Sequence, residues 1–120
     1  MRTARILYGM TTDPRPCAEC GEPFRPGRAW QRFCTQAHKQ RFHKLMAKRG
    51  QMLAPLLIAK ATVGGRYPAL KDAALAAWAR KEADALLSRW VIEDRAARRS
   101  SASVVAAKQE AGWRAADAVD

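Results

Sequence analysis

The chain has 120 residues and a formal net charge of +11. That length suits one small domain, or a mini-domain with a helical extension, and leaves no room for a large buried enzyme core. The longest uncharged, mainly apolar run, Met52 to Ala59, contains Pro55 and is far shorter than the roughly 20 residues a membrane span needs, so no membrane association is expected.

Residues 1–16 read as an irregular arm. Asp13-Pro14 and Arg15-Pro16 disfavour helix and favour an extended or turning lead-in. Met1 to Met10 has two arginines, no sustained apolar stretch and no small-residue cleavage site. No signal peptide is read, and the cytoplasm is the expected compartment.

Residues 17–48 read as a small metal module running into a basic helix. Gly21, Pro23, Pro26 and Gly27 supply the turn chemistry of a hairpin within 17–34, with Phe24 on one side and Trp30 and Phe33 on the other placed to pair across it. Cys17-x₂-Cys20 is followed, thirteen residues later, by Cys34-x₃-His38. Three cysteines are an odd number, which argues against a disulfide framework. A tight Cys-x₂-Cys turn can point two thiolates at one cation, and Gly21 favours the sharp bend that turns backbone N–H groups towards the sulfurs. Residues four apart on a helix share a side, so a helix beginning after Cys34 brings that sulfur and the His38 ring together. Three sulfurs and one imidazole match a closed tetrahedral zinc site. In such modules the metal-binding energy, of order 10 kcal/mol, becomes folding energy.

Thr35 is placed to cap the helix, since its hydroxyl can accept a free backbone N–H. From Gln36 the period is helical: His38, Phe42, Leu45, Met46, Leu53, Leu56 and Leu57 fall on one arc, with Arg41, Lys44 and Lys48 opposite. His43, the other candidate for the fourth ligand, lies about 140° around the helix from His38. His38 faces the apolar arc and His43 does not, which favours His38. Gly50 and Pro55 predict a break or kink between them.

The stretch Cys17-Ala-Glu-Cys20-Gly21-Glu-Pro-Phe24, followed by Arg32-Phe33-Cys34-Thr35 and a basic helix, resembles small bacterial and phage zinc-ribbon or zinc-finger proteins with a CxxCG…F…FCS pattern. Its ligand spacing is also similar to that of the small zinc proteins that inhibit DNA gyrase. Those patterns usually end in a fourth cysteine, where this chain has His38. The resemblance spans about residues 17–45 and implies a zinc ribbon without implying a particular activity.

Residues 49–100 read as a helical hairpin turned at Gly64-Gly65 and Tyr67-Pro68. Its second helix, from about Leu70 to Arg98, places Leu75, Ala79, Ala83, Leu86 and Trp90 on one face, flanked by Trp78 and Leu87. That face is expected to pack on the stripe from Phe42 to Leu57. The same 70–98 helix is where a protein partner or a second copy of the chain would dock. Ser100-Ser101 predicts a break, and residues 101–120 a short helix or frayed tail interrupted by Gly112. The expected fold is mainly α, with a small N-terminal zinc-ribbon hairpin and a helical hairpin extension.

Nine lysines and arginines between Arg15 and Arg49 face only Glu19 and Glu22, so this third of the chain holds seven of the eleven net charges. Clustered positive charge attracts polyanions, nucleic acid first among them. Arg25, Arg28 and Arg32 on the hairpin, with Arg41, Lys44 and Lys48 on the helix, are the candidate phosphate contacts. Trp30 could stack on a base or, with Phe24, pack over the metal knuckle. There is no major-groove recognition motif, no Gly-rich phosphate loop, no catalytic carboxylate pair and no open metal site, so an enzyme is not expected. Two readings remain: a zinc-stabilised nucleic-acid-binding accessory or regulatory protein of phage or bacterial type, or an adaptor or inhibitor that binds a DNA-processing enzyme or polymerase.

Overall fold

The computed structural model describes residues 13–61 and 73–114. Two short strands, β1 (Arg15–Pro16) and β2 (Pro23–Phe24), pair antiparallel, with Arg15 opposite Phe24 and Pro16 opposite Pro23. Three helices follow: α1 (Gln36–Ala61), α2 (Ala73–Ala97) and α3 (Ser101–Glu110). The fold is mainly helical with a small N-terminal hairpin. No described helix is long and apolar enough to cross a membrane.

The hairpin sits earlier than the turn residues suggested. Its strands flank Cys17–Glu22, so Arg15 and Pro16 leave the expected irregular arm and become one of its legs. Proline lacks an N–H to donate to a ladder, and here it occupies the strands of a two-stranded sheet, where edge positions tolerate it. Phe33 does not pair with Phe24. It is buried, and its ring lies 5.1 Å from that of buried Phe42.

Thr35 caps α1: its hydroxyl accepts from the His38 N–H at 3.1 Å, and its carbonyl accepts from Lys39 N–H at 3.1 Å. The expected break between Gly50 and Pro55 does not occur; α1 runs unbroken for 26 residues. Pro55 removes one helical hydrogen bond and Gly50 adds backbone entropy, costs of about 3 and 1 kcal/mol that favour a break without compelling one.

Helix α2 ends in a Schellman turn. Arg98 N–H donates to Arg95 O, Arg99 N–H donates to Asp94 O at 2.8 Å, and Arg98 sits in the left-handed region at φ 61°. Ser100 then caps α3, its Oγ accepting from Ser103 N–H. The second helix and the Ser100-Ser101 break thus follow the expectation, apart from residues 70–72, which lie outside the described residues together with the Gly64-Gly65 and Tyr67-Pro68 turn. At the far end Gly112, at φ 82°, stops α3 with a second turn of the same type, Trp113 N–H reaching Lys108 O at 2.9 Å.

The chain divides into two compact units. One comprises the described residues 13–42 and 94–114; the other comprises 43–61 and 73–93. In the second, Ala79, Ala83 and Trp90 of α2 are buried, and Leu45, Met46, Leu53, Leu56 and Leu86 are half-buried. Leu57 and Leu75, expected on the packed stripes, are exposed at 38% and 39%. Two alanines and a tryptophan carry the burial on α2, because small side chains are covered completely by a neighbour that leaves leucine edges in water. Arg49 occupies the apolar arc of α1. Its guanidinium carbon lies 5.2 Å from the Trp90 ring centroid, and a nitrogen sits 3.4 Å from Glu93 Oε1. Its aliphatic stem covers apolar surface while its head is paired, so this arginine does not belong to the exposed basic set.

Trp90→Ala is expected to destabilise the chain by about 3–5 kcal/mol, and exposed Trp78→Ala by under about 1 kcal/mol, in urea unfolding.

Candidate metal centre

The knuckle is closed by its own backbone. Cys17 N–H donates to Glu22 O at 2.9 Å, and Gly21 N–H to Cys17 O at 2.8 Å. Gly21 has φ 77°, and a Cβ there would stand 2.6 Å from Arg98 Cβ and 2.7 Å from Arg98 O, so glycine is required twice over. Ala18 N–H bonds to Arg32 O at 2.8 Å, which ties the knuckle to the segment that delivers Cys34.

Cys17, Cys20, Cys34 and His38 converge, with one donor atom from each lying within 4.8 Å of every other. Cys20 Sγ and Cys34 Sγ are 3.8 Å apart, and His38 Nδ1 is 3.1 Å from Cys34 Sγ and 4.0 Å from Cys17 Sγ. A tetrahedral ion with metal–sulfur bonds of about 2.3 Å sets its sulfurs about 3.8 Å apart, so the group has the right dimensions for one metal ion. Cys17 is buried and the other three are half-buried. His43 is exposed and outside the cluster. Nδ1 faces the sulfurs, so Nε2 remains for an outer partner.

The three thiols differ in acidity. Burial opposes ionisation of Cys17, but the backbone N–H groups of Cys34, Cys20 and Glu19 together with the His38 ring outweigh it and lower the thiol to about 6. The Glu19 N–H lies 3.4 Å from that sulfur. Burial, with the neighbouring sulfurs of Cys17 and Cys20, raises Cys34 to about 11. One negative charge is therefore easy to place in the cluster, and a further one needs a cation beside it.

Glu19, between the first two cysteines, has a carboxylate only 1% exposed. Arg99 grips it with Nε at 2.9 Å and Nη2 at 3.3 Å, and uses Nη1 to hold Asp94 at 2.9 Å. The bonds to Glu19, joined by the one to Asp94, outweigh burial and raise the Arg99 pKa above its ordinary value. Arg41 adds a longer ion pair to Glu19 at 3.7 Å. Arg98 binds Glu22 at 2.7 Å and Gly21 O at 3.2 Å, and Ser100 N–H donates to Ala18 O at 2.8 Å. Residues 98–100 thus clasp the knuckle. Sequence reasoning missed this clasp, because neither helical period nor ligand spacing marks it. The available signal was an acidic residue inside a knuckle whose neighbours are all buried or ligating.

The proposed phosphate contacts are placed as follows. Arg25 and Arg28 are exposed, and Arg32 is half-buried near Arg15, whose own pKa is lowered by burial and by the Arg32 charge. Arg41 is exposed but shares Glu19. Lys44 and Lys48 are exposed and belong to the second unit. Trp30 is 71% exposed, so it does not pack over the knuckle, whereas Phe24 is half-buried.

No family model, no curated protein and no solved structure matches the chain.

Glu19→Ala leaves the largely buried Arg99 charge without its main partner and is expected to cost about 3 kcal/mol, seen as a lowered urea midpoint. Metal affinity should rise with pH. Cys34 must lose its proton to bind, which contributes about tenfold per pH unit up to about 11, and below about 6 the Cys17 proton must be displaced as well, which steepens the fall. Competition titrations with a chromophoric chelator between pH 5.5 and 8.5 measure this dependence; a flat profile contradicts it.

Proposed function

We propose that this chain is a zinc-stabilised nucleic-acid-binding accessory or regulatory protein of phage or bacterial type. Zinc suits a closed set of three sulfurs and one imidazole, and the resemblance carried by Cys17–Phe24 and Arg32–Thr35 agrees with it. The observation that carries the nucleic-acid reading is how charge is distributed in the unit that holds the cluster. Both acidic side chains of the basic stretch, Glu19 and Glu22, are engaged by arginines, while Arg28, Arg32 and Lys39 make no ion pair among the described residues. The positive surface is thereby left for an external anion. Arg25 and Arg41 belong to the same unit, and Lys44 and Lys48 add exposed positive charge on the second.

A second reading, an adaptor that binds a DNA-processing enzyme or polymerase, is favoured by one observation. Trp78, Leu87, Val91 and Ile92 of α2 are 55%, 41%, 49% and 67% exposed. The two readings differ in salt dependence, since apolar docking is nearly indifferent to salt and phosphate binding is not.

Elemental analysis of the purified chain is expected to give one zinc per molecule. Titration with labelled duplex and single-stranded DNA and RNA at low salt is expected to give micromolar binding with little sequence preference. If six phosphates are contacted, the log–log salt slope is about −5 for duplex and about −4 for a single strand. Replacing Arg41, Lys44 and Lys48 together by alanine should reduce the slope by about two to three units without unfolding the chain. No binding at tens of micromolar protein rejects this reading and leaves the adaptor.

A further inference from the structure

The loop of residues 25–31 is tied down by hydrogen bonds that never involve its most conspicuous side chain. Arg15 Nη1 donates to Ala29 O at 2.7 Å and to Gln31 O at 2.9 Å. The Gln31 side chain works in both directions, accepting from Gly27 N–H at 2.8 Å and donating to Phe33 O at 2.9 Å. Gln31 N–H closes the tip on Arg28 O at 3.0 Å, and Pro26 is buried. A loop with its carbonyls bound by one arginine and its two ends joined through one glutamine has a defined shape before anything binds it.

That shape keeps Trp30 outside. An indole left 71% exposed forgoes burial, although few large side chains are buried among the described residues. The loop anchors oppose its folding back, because moving the Trp30 backbone inward breaks the bonds to Ala29 and Gln31 on either side of it. The Arg28 guanidinium carbon lies 5.7 Å from the Trp30 ring centroid, so a cation and an aromatic face are presented together.

We infer that Trp30 and Arg28 form a stacking platform for an unpaired base of single-stranded nucleic acid. This rests on the nucleic-acid reading above and adds to it the form of the ligand. An indole face accepts any base, because every base has a π face, which suits a surface with no sequence-reading motif. The Arg28 charge beside the ring meets the phosphate of the same or the adjoining nucleotide. Bases within a duplex are already stacked on one another and are closed to a ring on a short loop, so the platform discriminates for single strands. Arg32 supplies further positive charge to the loop's own segment.

The test uses the full-length, metal-loaded chain and three oligonucleotides with equal numbers of phosphates per strand: a mixed-sequence single strand, an abasic single strand and a duplex. Trp30→Ala is expected to weaken binding to the mixed single strand by about fivefold to a hundredfold, with abasic and duplex binding unchanged. Trp30→Phe should recover most of the loss. Arg28→Ala should lower affinity on both single strands, because it removes charge. Circular dichroism and the thermal midpoint confirm that each variant is folded. An equal loss on normal and abasic strands, or no loss on either, overturns the platform while leaving nucleic-acid binding standing. Failure of the unaltered chain to bind all three oligonucleotides rejects nucleic-acid binding itself, and the platform with it.

Discussion

Burial of the Glu19 carboxylate is possible only because Arg99 meets it with two hydrogen bonds from a residue 80 positions away. A charge taken out of water without such a partner is costly enough to reorganise what surrounds it. Glu19 sits between Cys17 and Cys20, so the same contact that neutralises it fixes where the end of α2 and the start of α3 meet the knuckle. The Ser100–Ala18 backbone bond and the close approach of Arg98 to Gly21 follow from that position. A pair of this kind contributes less net stability than its geometry suggests, since both charges give up hydration. The pair disfavours any docking that leaves Glu19 buried with only the longer contact to Arg41.

The cluster of Cys17, Cys20, Cys34 and His38 answers a different shortage. Among the described residues of its unit, Cys17, Ala18, Pro26, Phe33 and Phe42 are the buried apolar ones, too few to hold a small unit together by area alone. A metal ion accepted by these four side chains would supply the missing cohesion. The acidities favour such an arrangement: Cys17 ionises readily, supported by backbone N–H groups, while Cys34 holds its proton until a cation compensates the crowding of sulfurs. Binding, deprotonation and closure of the knuckle are then one process.

The positive charge is not a uniform coat. Arg49 is turned against Trp90 and Glu93, Arg99 is consumed by Glu19 and Asp94, and Arg15 holds the loop that displays Trp30. The planar guanidinium bonds several acceptors at once at Arg99 and Arg15 and lies over a ring at Arg49, whereas lysine offers a point charge. Lys39, Lys44 and Lys48 remain on the surface. Basic residues thus sort into those that build the fold and those that face solvent, and the net charge alone does not reveal which is which.

Local rules were sufficient for much of this molecule. The spacing within each pair of candidate ligands, the Thr35 cap, the start of α1, helix α2, the stop at Gly112 and the choice of His38 over His43 all depend on residues a few positions apart. Helical period and turn chemistry act at that range. The helical phase also places Arg49 among Leu45, Met46 and Leu53, where a count of net charge cannot distinguish it from the other basic residues of this stretch. Other features needed the folded chain. The hairpin legs at Arg15–Pro16 and Pro23–Phe24, the pairing of Phe33 with Phe42, the outward Trp30 and the Arg98–Ser100 clasp join segments that no period connects. The continuity of α1 through Gly50 and Pro55 belongs with them, since propensities of a few kcal/mol bias a helix without ending it. Composition and spacing determined which side chains could hold a metal and where positive charge is concentrated along the chain. Tertiary structure decided which charges were already spent, because a buried carboxylate selects its partner by proximity in space and not along the chain.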